Sequence, residues 1–302
     1  MKMIFKKMRV GLVLVGVAML AGCSLGVNES TSYSIPNWTA DGRIIARKVY
    51  LKTEHTLVSN SEIRAYQNSI VVMDDNGGHE QKLFDVDENG ISLVEMSPSG
   101  NYVGYINSMS LLKVFKNEGG RWNLKWTKTV DRFTDRISFS LDETKLMLNI
   151  GYSRLFVYST NSPDHLIYSN NDRQGAPGLW LSGTQFYFAD NNIEKLVVVD
   201  TISSQERPLS FVMFPEIYVA SENALYYQSS SFDAGAFRVR CRLDTGETTT
   251  TNFTYTPYKY EDFVGRHLSP DGKKIVMSYG GSIDPAGIFL LDINNSNLSR
   301  IK

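Results

Sequence analysis

The stretch HLSPDGKKIVMSYG, residues 267–280, sets an apolar run after the turn Ser269-Pro270-Asp271-Gly272. The turn chemistry is that of a tight hairpin: the Ser hydroxyl bonds the turn backbone, Pro presets φ, and Gly takes a positive φ. One such hairpin says little, whereas a repeated one sets the reading of the whole chain, so the period has to be found first.

Three further copies stand upstream. Trp38-Thr39-Ala40-Asp41-Gly42, Met96-Ser97-Pro98-Ser99-Gly100 and Phe139-Ser140-Leu141-Asp142-Glu143 share a large apolar residue, a hydroxyl, a spacer, Asp or Ser, and usually Gly. The runs IIARKVY, YVGYIN, KLMLNI and KIVMSY follow these turns, and QFYFAD (185–190) and ALYYQS (224–229) follow the shortened turns LSGT and ASEN. Their Val, Ile, Phe and Tyr content between turn residues favours strands.

The second half of the unit sets the count. IVVMD, LKVFK, LFVYS, LVVVD, RCRLD and IFLLD end at Asp74, Lys116, Ser159, Asp200, Asp244 and Asp292, at spacings of 42, 43, 41, 44 and 48 residues. Each leads into a polar turn and another short strand, such as QKLF, TTTTNF or LSRI. Six units of four antiparallel strands at this period predict an all-β fold, a six-bladed β-propeller whose blades bury both faces against their neighbours. A β-sandwich would leave the constant spacing unexplained, and a solenoid would need polar capping units.

The unit HLSPDGKKIVMSYGG followed by IFLLDINNSNLSRI resembles the PD40, or WD40-like, repeat of TolB-like propellers, which also occurs in the propellers of prolyl oligopeptidase relatives. The resemblance spans residues 34–302, strongly in units 1, 2, 3 and 6 and weakly in 4 and 5. It implies a propeller without the hydrolase domain of the oligopeptidases. Nor does it extend to the separate amino-terminal domain of TolB, so TolB's partners do not carry over. Unit 1 starts near Ile35 and unit 6 ends at Ile301, so the ring closes either by packing of whole blades or by part of residues 24–33 adding a strand to the last blade.

The amino-terminal 23 residues carry Lys2, Lys6, Lys7 and Arg9 ahead of an apolar stretch from Val10 to Ala21. That stretch is shorter than the ~20 residues a spanning helix needs, and reads as an export signal. Leu20-Ala21-Gly22-Cys23 resembles the lipobox of bacterial lipoproteins, which implies cleavage of residues 1–22 and a diacylglycerol on Cys23. Residues 23–33 are then the lipidated Cys and a polar, flexible tether, and 34–302 the propeller. Ser24 after the Cys, by the same resemblance, directs the protein to the periplasmic face of a Gram-negative outer membrane; a Gram-positive surface lipoprotein is the other assignment.

Without the signal, 27 basic residues face 32 acidic ones, a balance that offers nothing to nucleic acid or to anionic lipid. Attachment to the membrane therefore falls to the anchor. With Cys23 lipidated, Cys241 stands alone and no internal disulfide forms.

Catalytic patterns are missing from the chain. His55, His79, His165 and His267 make no HExxH or zinc spacing, there is no G-x-S-x-G, and no cofactor is expected. Asp85, Asp87 and Asn89 open like a calcium loop, but the twelfth position is Met96, with Glu95 one residue short, so an acidic turn between units is the simpler reading.

In a propeller, the blade-to-blade loops and the middle-strand loops open on one face. These include DRFTDR (131–136), NNDRQGAPGLW (170–180), YTPYKYEDFVGRH (255–267) and the insertion 51–68. They bring Arg132, Arg173, Tyr258, Tyr260 and Arg266 towards one surface, and Arg and Tyr suit an interface; pairing with Asp131, Asp135, Asp172 and Glu261 would use them up instead. Trp38 and Phe139 fill the apolar slot before the turn and read as core. The expectation is a monomeric, anchored scaffold that binds another envelope protein and performs no chemistry. A glycan or peptide receptor is the alternative, and third a propeller lyase or hydrolase in which His267, Glu95 and an Arg meet near the channel.

Overall fold

The computed structural model describes residues 24–56, 62–87, 90–151, 154–171, 178–190, 193, 195–209, 216–231, 235–254, 263–279 and 287–302. They form six four-stranded antiparallel sheets, each built from four consecutive strands. Blade 1 holds β1 (Ser24–Trp38), β2 (Ile44–Thr56), β3 (Glu62–Met73) and β4 (Gln81–Asp85). Blade 2 holds β5 (Ile91–Met96), β6 (Tyr102–Asn107), β7 (Leu111–Glu118) and β8 (Arg121–Thr129). Blade 3 holds β9 (Thr134–Phe139), β10 (Lys145–Ile150), β11 (Arg154–Ser159) and β12 (Ser162–Asn170). Blade 4 holds β13 (Leu179–Trp180), β14 (Gln185–Asp190), β15 (Lys195–Asp200) and β16 (Gln205–Pro208). Blade 5 holds β17 (Ile217–Val219), β18 (Ala224–Ser231), β19 (Gly235–Arg242) and β20 (Thr248–Phe253), and blade 6 β21 (Phe263–Leu268), β22 (Lys274–Tyr279), β23 (Ile288–Asp292) and β24 (Asn297–Arg300). This is the six-bladed propeller that the repeat predicts.

The apolar runs are unbroken because successive residues serve different neighbours. On β14, Phe186 and Phe188 pack towards blade 3, while Tyr187 and Ala189 pack towards blade 5. On β22, Ile275 and Met277 face blade 5 and Val276 faces blade 1. The period-2 alternation of a strand is intact, but both faces are buried. One apolar cluster therefore sits at each of the six blade junctions.

The repeated turns behave as their chemistry dictates. The hydroxyls of Thr39, Ser97, Ser140 and Ser269 are all buried. They accept backbone N–H bonds across the turn, at 3.0 Å from Arg43, 2.9 Å from Tyr102, 3.0 Å from Lys145 and 2.9 Å from Lys274. Glu143 stands where the other copies have Gly, at φ 58°. Its carboxylate compensates by holding the blade 2 turn, accepting from Ser99 N at 2.7 Å and from Asn101 Nδ2 at 3.2 Å.

The ring closes by packing of whole blades, the first of the two alternatives. Tyr33, Trp38, Ile44, Ala46, Val71 and Met73 of blade 1 bury against Val276 and Ile288 of blade 6. Trp38 Nε1 donates to the His267 carbonyl at 2.9 Å, and Glu80 takes Lys48 at 2.6 Å, Tyr33 at 2.7 Å and Lys302 at 3.1 Å. Gly77 completes the junction at φ 78°, where a methyl group would overlap the carbonyl oxygen of Ile301. Gly77→Ala is expected to cost about 2–3 kcal/mol in urea unfolding, whereas Gly42→Ala, at φ 82° but in open space, should cost only about 1–2 kcal/mol. Equal losses would remove the Ile301 contact from the closure.

Two expectations about blade 1 are corrected. Residues 24–33 are not a tether: they continue β1 and pair with β2 from Ser24↔Thr56 to Tyr33↔Lys48. Within the insertion 51–68, 51–56 and 62–68 extend β2 and β3, pairing as in Tyr50↔Gln67 and Leu51↔Tyr66 with one register shift between Lys52 and Thr53. Backbone pairing across three strands satisfies N–H and C=O groups that a polar tether would leave to water. The result is a three-stranded arm whose Val27, Ile63 and Tyr66 are exposed. No helix among the described residues is long and apolar enough to cross a membrane.

Candidate functional site in the central channel

The innermost strands β1, β5, β9, β13, β17 and β21 enclose a cavity of about 280 Å³. All six blades contribute to its lining. Each inner strand runs from the blade-to-blade loop end to the repeated turn, and the lining includes Ala40, Pro98, Leu141 and Pro270 of those turns. The cavity thus reaches the turn end of the channel, opposite the loop end. Leu141, 54% exposed, stands at this mouth.

Register explains what the wall is made of. Counting back from Thr39, Ser97, Ser140 and Ser269, the preceding residues Trp38, Met96, Phe139 and Leu268 are buried in the blade junctions. The next ones, Asn37, Glu95, Ser138 and His267, line the cavity as a polar ring. Arg136 lies two residues above Ser138 on the same strand side. The aromatic slot is core, as expected of Trp38 and Phe139, and its indoles tie blades together. Trp180 Nε1 donates to Ser138 O at 3.3 Å just as Trp38 does to His267 O.

Arg136 Nη2 reaches from blade 3 to the backbone carbonyl of Glu216, the residue just before β17 of blade 5, at 2.9 Å. Asn37 Nδ2 donates to Glu95 Oε2 and, at 3.3 Å, to Val94 O. The Glu216 carboxylate is held by Gln228, whose Nε2 donates at 3.2 Å. Asn37, Glu95, Arg136, Glu216 and His267 are partly buried, and that enclosure shifts the protonation of the acids and of His267. Burial pushes Glu95 up to about 8, against the opposing pull of Arg136 and the Asn37 bond. Burial likewise raises Glu216 to about 7 and Asp135 to about 6, again opposed by Arg136. His267 is driven down to about 4 by burial, with Arg136 and Arg266 adding to the effect. At neutral pH the ring therefore holds a protonated Glu95 and a neutral His267 beneath a guanidinium.

The residues picked out on the loop face divide. Arg132 is exposed between β8 and β9, with its guanidinium 4.7 Å from the Phe133 ring centroid. Arg266 is half-buried in β21, where Nη1 donates to Phe263 O at 2.6 Å, so it belongs to an inner strand rather than to a loop. Arg173, Tyr258 and Tyr260 lie outside the described residues, as does Asn89. Asp85 accepts from Gln67 at 3.1 Å and pairs with Lys82 at 3.0 Å. Among the described residues no group of three or more His, Cys, Asp or Glu is arranged to hold a metal. Cys241 is buried and free of any disulfide.

Arg136 and Asn37 went unnoticed in the sequence, although the position two before the turn hydroxyl would have revealed Asn37, Glu95, Ser138 and His267 together. His267, Glu95 and an Arg do meet at the channel. Among the described contacts, however, none of His267, Glu95 and Arg136 hydrogen-bonds another of the three.

No protein-family model matches the chain. No curated protein matches it. Solved structures do. A provisionally identified TolB from Agrobacterium tumefaciens is 17% identical with a TM-score of 0.53, over 78% of this chain and 88% of its own. A chain from a mitotic checkpoint complex is 14% identical with a TM-score of 0.50, over 92% of this chain and 83% of its own. At such identities the likeness is one of fold: this chain is a six-bladed propeller similar to TolB-like proteins.

Proposed function

We propose that this chain is a lipid-anchored envelope protein that works by protein–protein recognition and carries out no chemistry of its own. The observation that carries the reading is the arm of blade 1. β1 begins at Ser24, one residue after the lipobox-like Cys23, and its first nine residues precede the part that packs in the ring. At about 3.3 Å per residue the arm spans about 30 Å. Strand direction puts it at the loop end of the propeller. A diacylglycerol on Cys23 would thus turn the loop end towards the membrane, most simply the periplasmic face of an outer membrane.

That end also displays large apolar side chains. Met109 is 71% exposed, Phe133 60% and Ile193 47%, with Arg132 beside Phe133. Exposed aromatic and Met residues with an Arg are the composition of a protein interface. Crosslinking of the full-length protein in native membranes is expected to yield a stoichiometric protein partner. Phe133→Asp should reduce its recovery by about tenfold or more, and Leu166→Asp on outer strand β12 should leave it unchanged. Cys23→Ser should release the protein from the membrane fraction. Capture that is equal in both variants, or absent, would sink the recognition reading. The alternative of a small-ligand receptor is favoured by a separate observation, the channel cavity.

A further inference from the structure

We infer that the turn end of the channel is a binding site for a carboxylate attached to an apolar body, independent of the recognition proposed for the loop end. Four features converge. The cavity is formed by all six blades and opens past Ala40, Pro98, Leu141 and Pro270, an apolar mouth. Leu93, Leu179 and Ile217, all partly buried, give its wall an apolar component, and Trp38, Met96, Phe139, Trp180 and Leu268 border it from the blade junctions.

Deeper in stands Arg136. Its described hydrogen bond is to a backbone carbonyl, and no carboxylate among the described residues lies within ion-pair distance of it. A guanidinium in an enclosed, low-dielectric channel ordinarily takes a carboxylate partner, because the planar fork matches two oxygens and the attraction is little screened. The nearby acids do not fill that role: Glu95 is tied to Asn37 and Glu216 to Gln228. Asp135, one residue before Arg136, also lines the cavity, but among the described contacts forms no ion pair or hydrogen bond with it.

The third feature is an unpartnered polar group in the wall. Ser138, on the same strand as Arg136, is 7% exposed, and its Oγ has no hydrogen-bond partner. Buried hydroxyls are normally bonded, and an orphan beside a cavity marks a partner that comes from outside the chain. The fourth is the character of the ring. Arg136 brings a positive charge to it, and the hydroxyl of Ser138 and the imidazole of His267 can add donors. A carboxylate entering from the turn end would meet Arg136 with its oxygens and leave its apolar portion against the apolar part of the wall and the Leu141 mouth.

Two sources share this chemistry, a free organic acid and the carboxy-terminus of a peptide. The full-length chain in detergent would be titrated calorimetrically with 3-phenylpropionate, with Gly-Gly-Phe, with the Gly-Gly-Phe amide and with phenethylamine. We expect one or both free carboxylates to bind at millimolar or lower concentration and the amide and amine not to. Binding of only the tripeptide identifies a chain end, and binding of only phenylpropionate a small acid. Arg136→Gln should weaken the interaction by about tenfold or more. Should that variant fail to fold, Leu141→Asp provides a second test: the residue is exposed, so the fold is kept, and a carboxylate at the mouth should weaken an anion and strengthen an amine. Binding of neither carboxylate, equal binding of acid and amide, preference for phenethylamine, or indifference to both substitutions would each overturn the site.

Discussion

Trp38→Ala is expected to destabilise the propeller by about 3–5 kcal/mol, the range for a large aromatic removed from a core. The indole is 7% exposed and packs where the first and last blades meet, residues far apart in the chain. Only non-covalent contacts hold that junction, since each blade is made of its own four consecutive strands. The companion substitution Trp180→Ala removes the same indole from the junction of blades 3 and 4, which the chain itself also joins. Urea unfolding should therefore show a comparable loss of stability for both, but a lowered m-value for Trp38→Ala alone, as opening the ring uncouples terminal blades from the rest. Trp38→Phe, which keeps most of the packing and loses the bond to His267 O, should cost about 1–2 kcal/mol. A loss below about 1 kcal/mol for Trp38→Ala would mean that the junction is held elsewhere, with the Glu80 cluster the first place to look.

Glu95→Gln is expected to stabilise the protein at alkaline pH and to do little at pH 5. Glu95 titrates near 8 in the folded state against an ordinary 4.5. The folded protein thus retains a proton that the unfolded chain has released. Its contribution to stability is fully present below 4.5 and is lost as pH rises through 8. Glutamine keeps an oxygen to accept the Asn37 bond and has no charge to bury. The gain in Tm over wild type should grow between pH 5 and pH 8.5 and then level off, reaching at least about 1 kcal/mol, or about 2–4 °C for a chain of this size. The other groups around Arg136 set the background. Glu216 titrates near 7 and loses its contribution over an overlapping range, whereas His267, lowered to about 4, loses its contribution as pH falls from 6.5. A gain that is the same at pH 5 and pH 8.5 would show that Glu95 is not held neutral by the channel.

The fold was legible because everything that specifies a blade is local. A buried hydroxyl, a turn and two alternating faces lie within each unit of some 40 residues, so the period could be counted at Asp74, Lys116, Ser159, Asp200, Asp244 and Asp292 without knowing what each strand touches. The core role of Trp38 and Phe139 and the channel-side location of His267 followed from their register in the unit. Even the worn turns of blades 4 and 5 kept their strands in place, with Asn223 supplying the left-handed residue at φ 46° where Gly is missing.

What only the tertiary structure decided concerns residues from different units. A polar residue two before the turn reads as an ordinary strand position in any single blade. It becomes one member of a ring only when six inner strands surround one axis, which is how Asn37, Glu95, Ser138 and His267 acquire a common cavity and Arg136 acquires Glu216 as a partner 80 positions away. The arm was hidden for a related reason. The segment SLGVNESTSY is polar enough to pass for a tether, and it is held as a strand by the backbone of residues 48–56, whose pairing with it no local pattern announces. Turn and strand propensities act within a few residues, whereas burial, pairing and charge enclosure depend on which surfaces the closed ring brings together.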